Sequence, residues 1–335
     1  MHEIDVKQLH LDTIVVDAVS PLARNTDYLK SYRDGHVNVV GPTVLSIGDA
    51  RAAFEALTVW HRLLADRDDL LLLRTGSDIR RAKSDDRLGI FLHLQGTDAF
   101  EDKADLALIY KLLGIGMVQL TYNGKCLAGD GCEVLDDRGL TPFGREVVRR
   151  LNECGVIVDV SHCGERTSLD VISLSEGPVV ASHSNIRAVH ESPRNLSSGV
   201  VRAIADSGGL IGIAGFPAMV SAHRNPTIRD FSEHIDAVVQ SVGIDHVGLG
   251  LDYFSGQAGV AKDGDVLRDY ESAIASGVWG PAYPRPPYNY PERLELPSKM
   301  MNLTLHLIEI GYQPEDVKKI LGGNWVRVMT SVWGD

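Results

Sequence analysis

The chain has 335 residues and a formal charge of −12, from 33 Lys plus Arg against 45 Asp plus Glu. Its 44% hydrophobic content can build a large core and excludes disorder, and its four Cys exclude a disulfide scaffold and suit a reducing, cytoplasmic compartment. An acidic chain without Lys/Arg runs is a poor nucleic-acid binder, and no apolar run approaches the roughly 18 residues that a membrane span needs.

In chain order, Met1–Val16 is interrupted by Glu3, Asp5, Lys7 and Asp12 and does not read as a signal peptide. Thr13–Val16 and His36–Val40 read as the first two strands. Asp49–Arg67 reads as a helix, Leu70–Leu73 as a short extra strand and Ser77–Lys83 as a further helix, together a long crossover. Further strands are expected at Leu88–Leu94, Ile115–Leu120, Val156–Val160, Val179–Ala181, Leu210–Ala214 and His246–Leu251. One helix has clear punctuation. Thr141 can cap it, Pro142 suits its first position, Val147, Val148 and Leu151 form its apolar stripe, and Gly155 stops it before the next strand.

Eight strands alternating with helices predict an α/β fold, a TIM-like (β/α)8 barrel, as one elaborated domain over residues 1–335. The rival is a doubly wound open sheet, but no G-x-G-x-x-G follows the first strand. Tyr253–Pro297 carries five Pro and three Tyr between Pro281 and Pro291 and reads as a lid, a dimer arm or a surface excursion. Residues 298–333 read as helices closing the barrel.

Barrel active sites lie at the C-terminal strand ends. Those ends carry Gln95, Thr121-Tyr122-Asn123, Ser161-His162-Cys163, Ser182-His183-Ser184 and Asp252. Two histidines on adjacent ends with a carboxylate on the last strand form a metal-and-base constellation. His93, two residues before Gln95, reads as a core residue. Cys126, Cys132 and Cys163 have no zinc-knuckle spacing and read as free thiols. The glycosylation-like patterns at Asn195 and Asn302 carry no weight without a signal peptide.

Several ordered motifs lie along this frame: Gly139-Leu-Thr-Pro-Phe-Gly-Arg-Glu-Val-Val, Val158-Asp-Val-Ser-His162, Ala181-Ser-His183-Ser-Asn, Ser192-Pro-Arg-Asn-Leu196, His234-Ile-Asp, His246-Val-Gly-Leu-Gly-Leu-Asp252 and Ile320-Leu-Gly-Gly-Asn-Trp-Val-Arg-Val. Taken together they resemble the membrane (renal-type) dipeptidase family of metallopeptidases, from roughly Leu88 to Met329. The resemblance implies a TIM-like barrel, usually dimeric, with a two-zinc site hydrolysing dipeptides, some with a D-residue on the C-terminal side. It implies that His162 and His183 bind the second zinc, that Arg194 grips the substrate carboxylate and that Asp252 is the acid/base group.

Three positions depart from the family pattern. Where the family's first strand ends Asp-Gly-His-Asn-Asp, this chain has Asp17-Ala-Val-Ser-Pro21, and Val19 and Pro21 cannot bind a metal. Gln95 stands for the bridging glutamate, and Tyr122 for a substrate-region histidine. The expectation is a dipeptidase-like hydrolase of a small amide or dipeptide bearing a carboxylate. It would use one zinc or other divalent ion held by His162 and His183, with Gln95 also a candidate ligand and Tyr122 and Arg194 on the substrate. A cytoplasmic homodimer without nucleic-acid or membrane partners is expected. The alternatives are a lyase or isomerase, or a metal-free binding protein, for a small carboxylate metabolite on the same scaffold.

Overall fold

The strands are short and parallel: β1 (Val16–Asp17), β2 (Val39–Val40), β3 (Thr43–Leu45), β4 (Leu70–Leu72), β5 (Leu88–Ile90), β6 (Leu92–Leu94), β7 (Ile115–Gln119), β8 (Ile157–Asp159), β9 (Val179–Val180), β10 (Ile211–Ile213) and β11 (Val247–Leu249). They come from a computed structural model that describes residues 4–257, 260, 266–281 and 283–335. β2 and β3 are two halves of one barrel strand, interrupted at Gly41-Pro42, where proline withholds a ladder donor. β5 and β6 are likewise two halves, interrupted at Phe91.

Pairing runs β1–β2 and β2–β5 at one level, and β3–β6–β7–β8–β9 at the next. A bridge from Ala181 to Ile211 continues the circle to β10, and β10 pairs with β11. The seam is then closed, because Ala18 N donates to Leu249 O at 3.1 Å and Asp252 N donates to Val19 O at 2.9 Å. The result is an α/β, TIM-like eight-stranded barrel, with the expected Leu70–Leu73 strand appearing as β4 against the lower half of the third barrel strand.

Local rules account for the elements. The helix Pro142–Glu153 starts where Thr141 Oγ1 accepts Gly144 N–H at 3.0 Å, and Gly155 follows it at φ +64°. Val147, Val148 and Leu151 are fully buried, each contributing about 1.5–3 kcal/mol of apolar burial. The first strand begins later than the sequence pattern predicts. A helix, Val6–Asp12, takes the preceding residues, and Thr13 folds its hydroxyl back onto Leu9 O at 2.7 Å. His36–Val40 is likewise shortened, since His36 sits at φ +54° after the helix Leu29–Asp34.

The C-terminal residues form the helices Met301–Glu309, Pro314–Lys318 and Asn324–Trp333. The last seats Trp325 and Trp333 against Gly248 and Gly116, whose missing Cβ atoms make room, and both indoles donate to strand carbonyls at 2.9 Å. This covers the barrel beneath the site and leaves the C-terminal strand ends as the open face. The long excursion after β11 contains the helix Val266–Ala275; residues 258–259, 261–265 and 282 of it lie outside the described residues.

Candidate active site

The strand ends β7, β8, β9 and β11 deliver Tyr122, His162, Arg194 (by way of the loop after β9) and Asp252 to one cavity, together with Gln95 from the end of β6. His183 follows β9 and lies against His162. His162 at φ +62° and Asp252 at φ +54° are both in the left-handed region. His and Asp enter that region more readily than most residues, and held strain of this kind collects at functional sites. The turn of the backbone there leaves the strand direction and aims each side chain into the mouth. The cavity wall is otherwise aromatic and apolar, with Phe216, Phe254, Trp279 and Tyr283 prominent.

The two histidines meet edge on. His162 Nε2 and His183 Nε2 are 2.9 Å apart, and the hydrogen bonds on their far sides decide what those nitrogens carry. Asn123 Nδ2 donates to Val278 O at 3.0 Å, and that carbonyl can only accept. Asn123 therefore presents Oδ1 to His162 Nδ1 at 2.6 Å, so His162 Nδ1 is the protonated nitrogen. On the other ring, Asp159 receives the backbone N–H of Ser161 and Ser182 at 2.9 Å each and also takes the Ser182 hydroxyl proton. Ser182 Oγ is then the acceptor for His183 Nδ1–H at 2.8 Å.

Burial holds both imidazoles well below their usual range, and the Arg194 charge adds to the effect, so both are neutral. Two neutral rings, each protonated at Nδ1, bring two proton-free Nε2 atoms together. No hydrogen bond can form between them. A cation held by both nitrogens would remove the conflict. Asn123 and the Ser182–Asp159 pair are the kind of outer partners that orient metal-bound histidines. Among the described residues, no group of three or more His, Cys, Asp and Glu converges as an ion site, and the two histidines stand as a pair. The opposite half offers nothing equivalent: Val19 is buried and apolar, and Pro21 lines the cavity.

The remaining polar groups have distinct settings. Arg194, 5% exposed, donates from Nη2 to His183 O at 3.0 Å and lines the cavity. Burial opposes its charge, but Cys132, Tyr283 and Asp252 around it outweigh that and hold it protonated. Burial raises Asp252 to about 7, with Arg194 pulling the other way. Tyr122 lies flat on His162, ring centroids 4.3 Å apart and 21° between planes, and its Oη accepts from Trp279 Nε1 at 3.1 Å. Burial pushes its phenol up to about 12, so it stays a donor. Gln95 Oε1 accepts from Ser46 Oγ at 3.1 Å, while its buried Nε2 has no partner among the described residues.

His93 is buried in the barrel against Gly41 O and Thr43, as its position before Gln95 predicts. The four cysteines are free, and burial raises the Cys132 thiol to about 11. Sequence reasoning did not single out Asn123, Ser182 or Asp159 as partners of the histidines. Each sits one to three residues from a strand-end His or Tyr, which is the only local signal. Trp279 and Tyr283 were visible only as part of a Pro/Tyr-rich stretch.

A family model described as membrane dipeptidase, peptidase family M19, matches residues 16–276. Dipeptidase tcpJ of Claviceps purpurea (strain 20.1) is 26% identical over 286 residues, which are 84% of this chain. The chain spans only 60% of that relative's length. Among solved structures, an amidohydrolase from Pseudomonas aeruginosa superposes with a TM-score of 0.89 at 32% identity, covering 99% of this chain and 100% of the other. A metallopeptidase from Rhodobacter sphaeroides, liganded with a phosphinate mimic of the dipeptide L-Ala-D-Ala, shares the fold at a TM-score of 0.78 and 20% identity, covering 96% and 100%. Among the described residues no helix is long and apolar enough to cross a membrane. With well over half of its length matched, the chain belongs to the membrane dipeptidase family of metallohydrolases, peptidase family M19.

Proposed function

We propose that this protein hydrolyses a small amide or dipeptide bearing a free carboxylate, using one divalent ion, zinc in the first instance, held by His162 and His183. The observation that carries the reading is the pair of proton-free Nε2 atoms 2.9 Å apart with both tautomers fixed from behind. One ion rather than two is favoured because Val19 and Pro21 have no donor atom where the family's first-metal ligands stand, and Gln95 brings no charge to bridge a second.

The ion, when bound, supplies Lewis acidity toward the reacting oxygen atoms. The protein's own groups do the rest. Arg194 pairs with the substrate carboxylate, for which a guanidinium fork is suited, and fixes the scissile amide over the histidine pair. Asp252, held near neutrality by burial, can take a proton from the attacking water and return it to the leaving nitrogen. Tyr122 Oη keeps its proton for a substrate oxygen. Gln95 is either a weak neutral ligand through Oε1 or a donor through its unpartnered Nε2. The aromatic wall excludes water and suits an apolar side chain.

The same reading takes residues 1–335 as one elaborated domain, cytoplasmic and working as a homodimer, on the family resemblance and the composition. The test is turnover of L-Ala-D-Ala and Leu-containing dipeptides with added zinc or manganese, beside elemental analysis of the purified protein. Turnover with about one ion per chain supports the reading. No turnover of any carboxylate-bearing amide by metal-loaded protein overturns it in favour of the lyase, isomerase or binding alternatives.

A further inference from the structure

Two aromatic side chains of the long excursion, Trp279 and Tyr283, stack face to face, with centroids 4.9 Å apart and 8° between planes. Each touches a residue at the end of β7. Trp279 Nε1 donates to Tyr122 Oη at 3.1 Å. Tyr283 Oη exchanges hydrogen bonds with the Asn123 amide, 3.0 Å from Nδ2 and 3.2 Å from Oδ1. Tyr122 and Asn123 in turn hold the same ring from two sides: Tyr122 covers the face of His162, and Asn123 accepts its Nδ1–H. The backbone of the excursion joins in, with Val278 O accepting from Asn123 Nδ2 at 3.0 Å and Gly280 N donating to Glu133 at 3.2 Å.

The consequence lies in the Asn123 amide. Turned over by 180°, it would present Nδ2–H to His162 Nδ1. The His162 proton would then move to Nε2, and the proton-free nitrogen beside His183 would be lost. What forbids the turned amide is the acceptor-only Val278 carbonyl; the Tyr283 hydroxyl, which donates or accepts, ties the excursion to Asn123 without choosing the orientation. An excursion more than 150 residues from Asn123 in sequence thus decides which nitrogen of His162 is free. Packing alone does not need this arrangement: Phe216 already gathers Tyr283, Tyr288 and Tyr290, and Phe254 packs on Trp279.

We propose that Val278, Trp279 and Tyr283 form a clasp in which the Val278 carbonyl selects the Nδ1–H tautomer of His162, with Tyr283 and Trp279 as positioning residues that hold this carbonyl on Asn123 and Tyr122 on the ring. The proposal rests on the reading of His162 and His183 as an ion-binding pair. It extends the site from the strand ends to the excursion after β11, which therefore tunes ion affinity as well as walling the cavity.

The test uses Tyr283→Phe and Trp279→Phe in the full chain. Both keep the ring stack and remove a hydrogen-bonding atom. In metal-free protein with 15N-labelled histidine, the ring spectrum reports the His162 tautomer directly, with His162→Ala supplying the assignment. Wild type is expected in the Nδ1–H form and Tyr283→Phe in a mixture. Co(II) affinity, followed by its visible absorption, is expected to fall about 10-fold in Tyr283→Phe and by a smaller factor in Trp279→Phe, as for other outer partners of a metal-bound histidine. A tautomer unchanged from wild type in Tyr283→Phe overturns the clasp. If His162→Ala binds Co(II) as tightly as wild type, the ion-pair reading fails by itself, and the tautomer of metal-free Tyr283→Phe still decides the clasp: mixed supports it, unchanged overturns it.

Discussion

His162 Nε2 and His183 Nε2 lie 2.9 Å apart, and each is the unprotonated nitrogen of a neutral ring. Two proton-free nitrogens at that distance repel unless both are turned to one cation. Ion binding is therefore expected to stabilise the protein, and the pair is expected to be its main determinant. His162→Ala and His183→Ala should each weaken zinc or Co(II) binding by at least 100-fold in calorimetric titration and remove the metal-induced rise in Tm. Wild-type affinity in both variants would place the ion elsewhere.

Asp252 enters the cavity from the last strand with its carboxyl raised to about 7 by burial. Asp252→Asn keeps the shape and hydrogen-bonding reach but cannot exchange a proton. The expected result is a fall in kcat of about 100- to 10,000-fold with substrate KM and bound metal little changed. A fall in metal content alongside kcat would identify Asp252 as a ligand instead.

For Arg194, charge and shape can be separated. Arg194→Lys keeps the cation and loses the planar fork, so kcat/KM for a free-carboxylate dipeptide should drop about 10- to 100-fold, mostly through KM. The same variant should discriminate less against a substrate whose C-terminus is amidated. Equal losses on both substrates would remove Arg194 from the carboxylate.

Gln95→Glu restores a charge at the position where the family carries a bridging glutamate. The expected metal content remains about one ion per chain, since Val19 and Pro21 still offer no donors on the far side. Elemental analysis showing two ions per chain in this variant would refute the one-ion reading.

Asp17 is fully buried beside Asp252 and is raised to about 8, chiefly by burial; its Oδ1 accepts Leu251 N–H at 2.8 Å and its Oδ2 has no partner among the described residues. The folded protein keeps this proton at pH values where the unfolded chain has lost it. The carboxyl therefore lowers stability progressively as pH rises from the unfolded pKa toward 8, by up to about 4 kcal/mol between pH 5 and 8. Asp17→Asn retains the acceptor and does not ionise, so denaturant unfolding of the metal-free variant should lose most of this slope. An unchanged slope would mean that Asp17 is not the group responsible.

The barrel was legible in the sequence because each strand is a short apolar run beside a capped helix. Thr141, Pro142 and Gly155 bracket their helix as local chemistry predicts. Asp252 and His162 stood out because strand ends concentrate polar residues after apolar runs, whereas Arg194, in the loop after β9, entered only through the family resemblance. The breaks at Gly41-Pro42 and Phe91, and the helix before β1, are tertiary outcomes that periodicity does not encode. The histidine tautomers depend on Asn123, Ser182 and Asp159, and the first of these depends on Val278 and Tyr283. Such contacts across more than 150 residues leave no mark on local pattern. Nor does the pattern separate a ligand-facing Gln95 Nε2 from one turned to solvent.

The seam between β11 and β1 also sets the order in which the protein becomes an enzyme. During synthesis, His162 and His183 leave the ribosome well before Leu249, Leu251 and Asp252, the residues that tie the last strand to Ala18, Asp17 and Val19. A nascent chain therefore carries its histidine pair ahead of its proton-handling carboxyl, and the clasp on Asn123 follows later still. The histidine pair and Asp252 share one cavity only once the last strand is joined to the first, so under the proposed function activity reports that the whole circle has been closed.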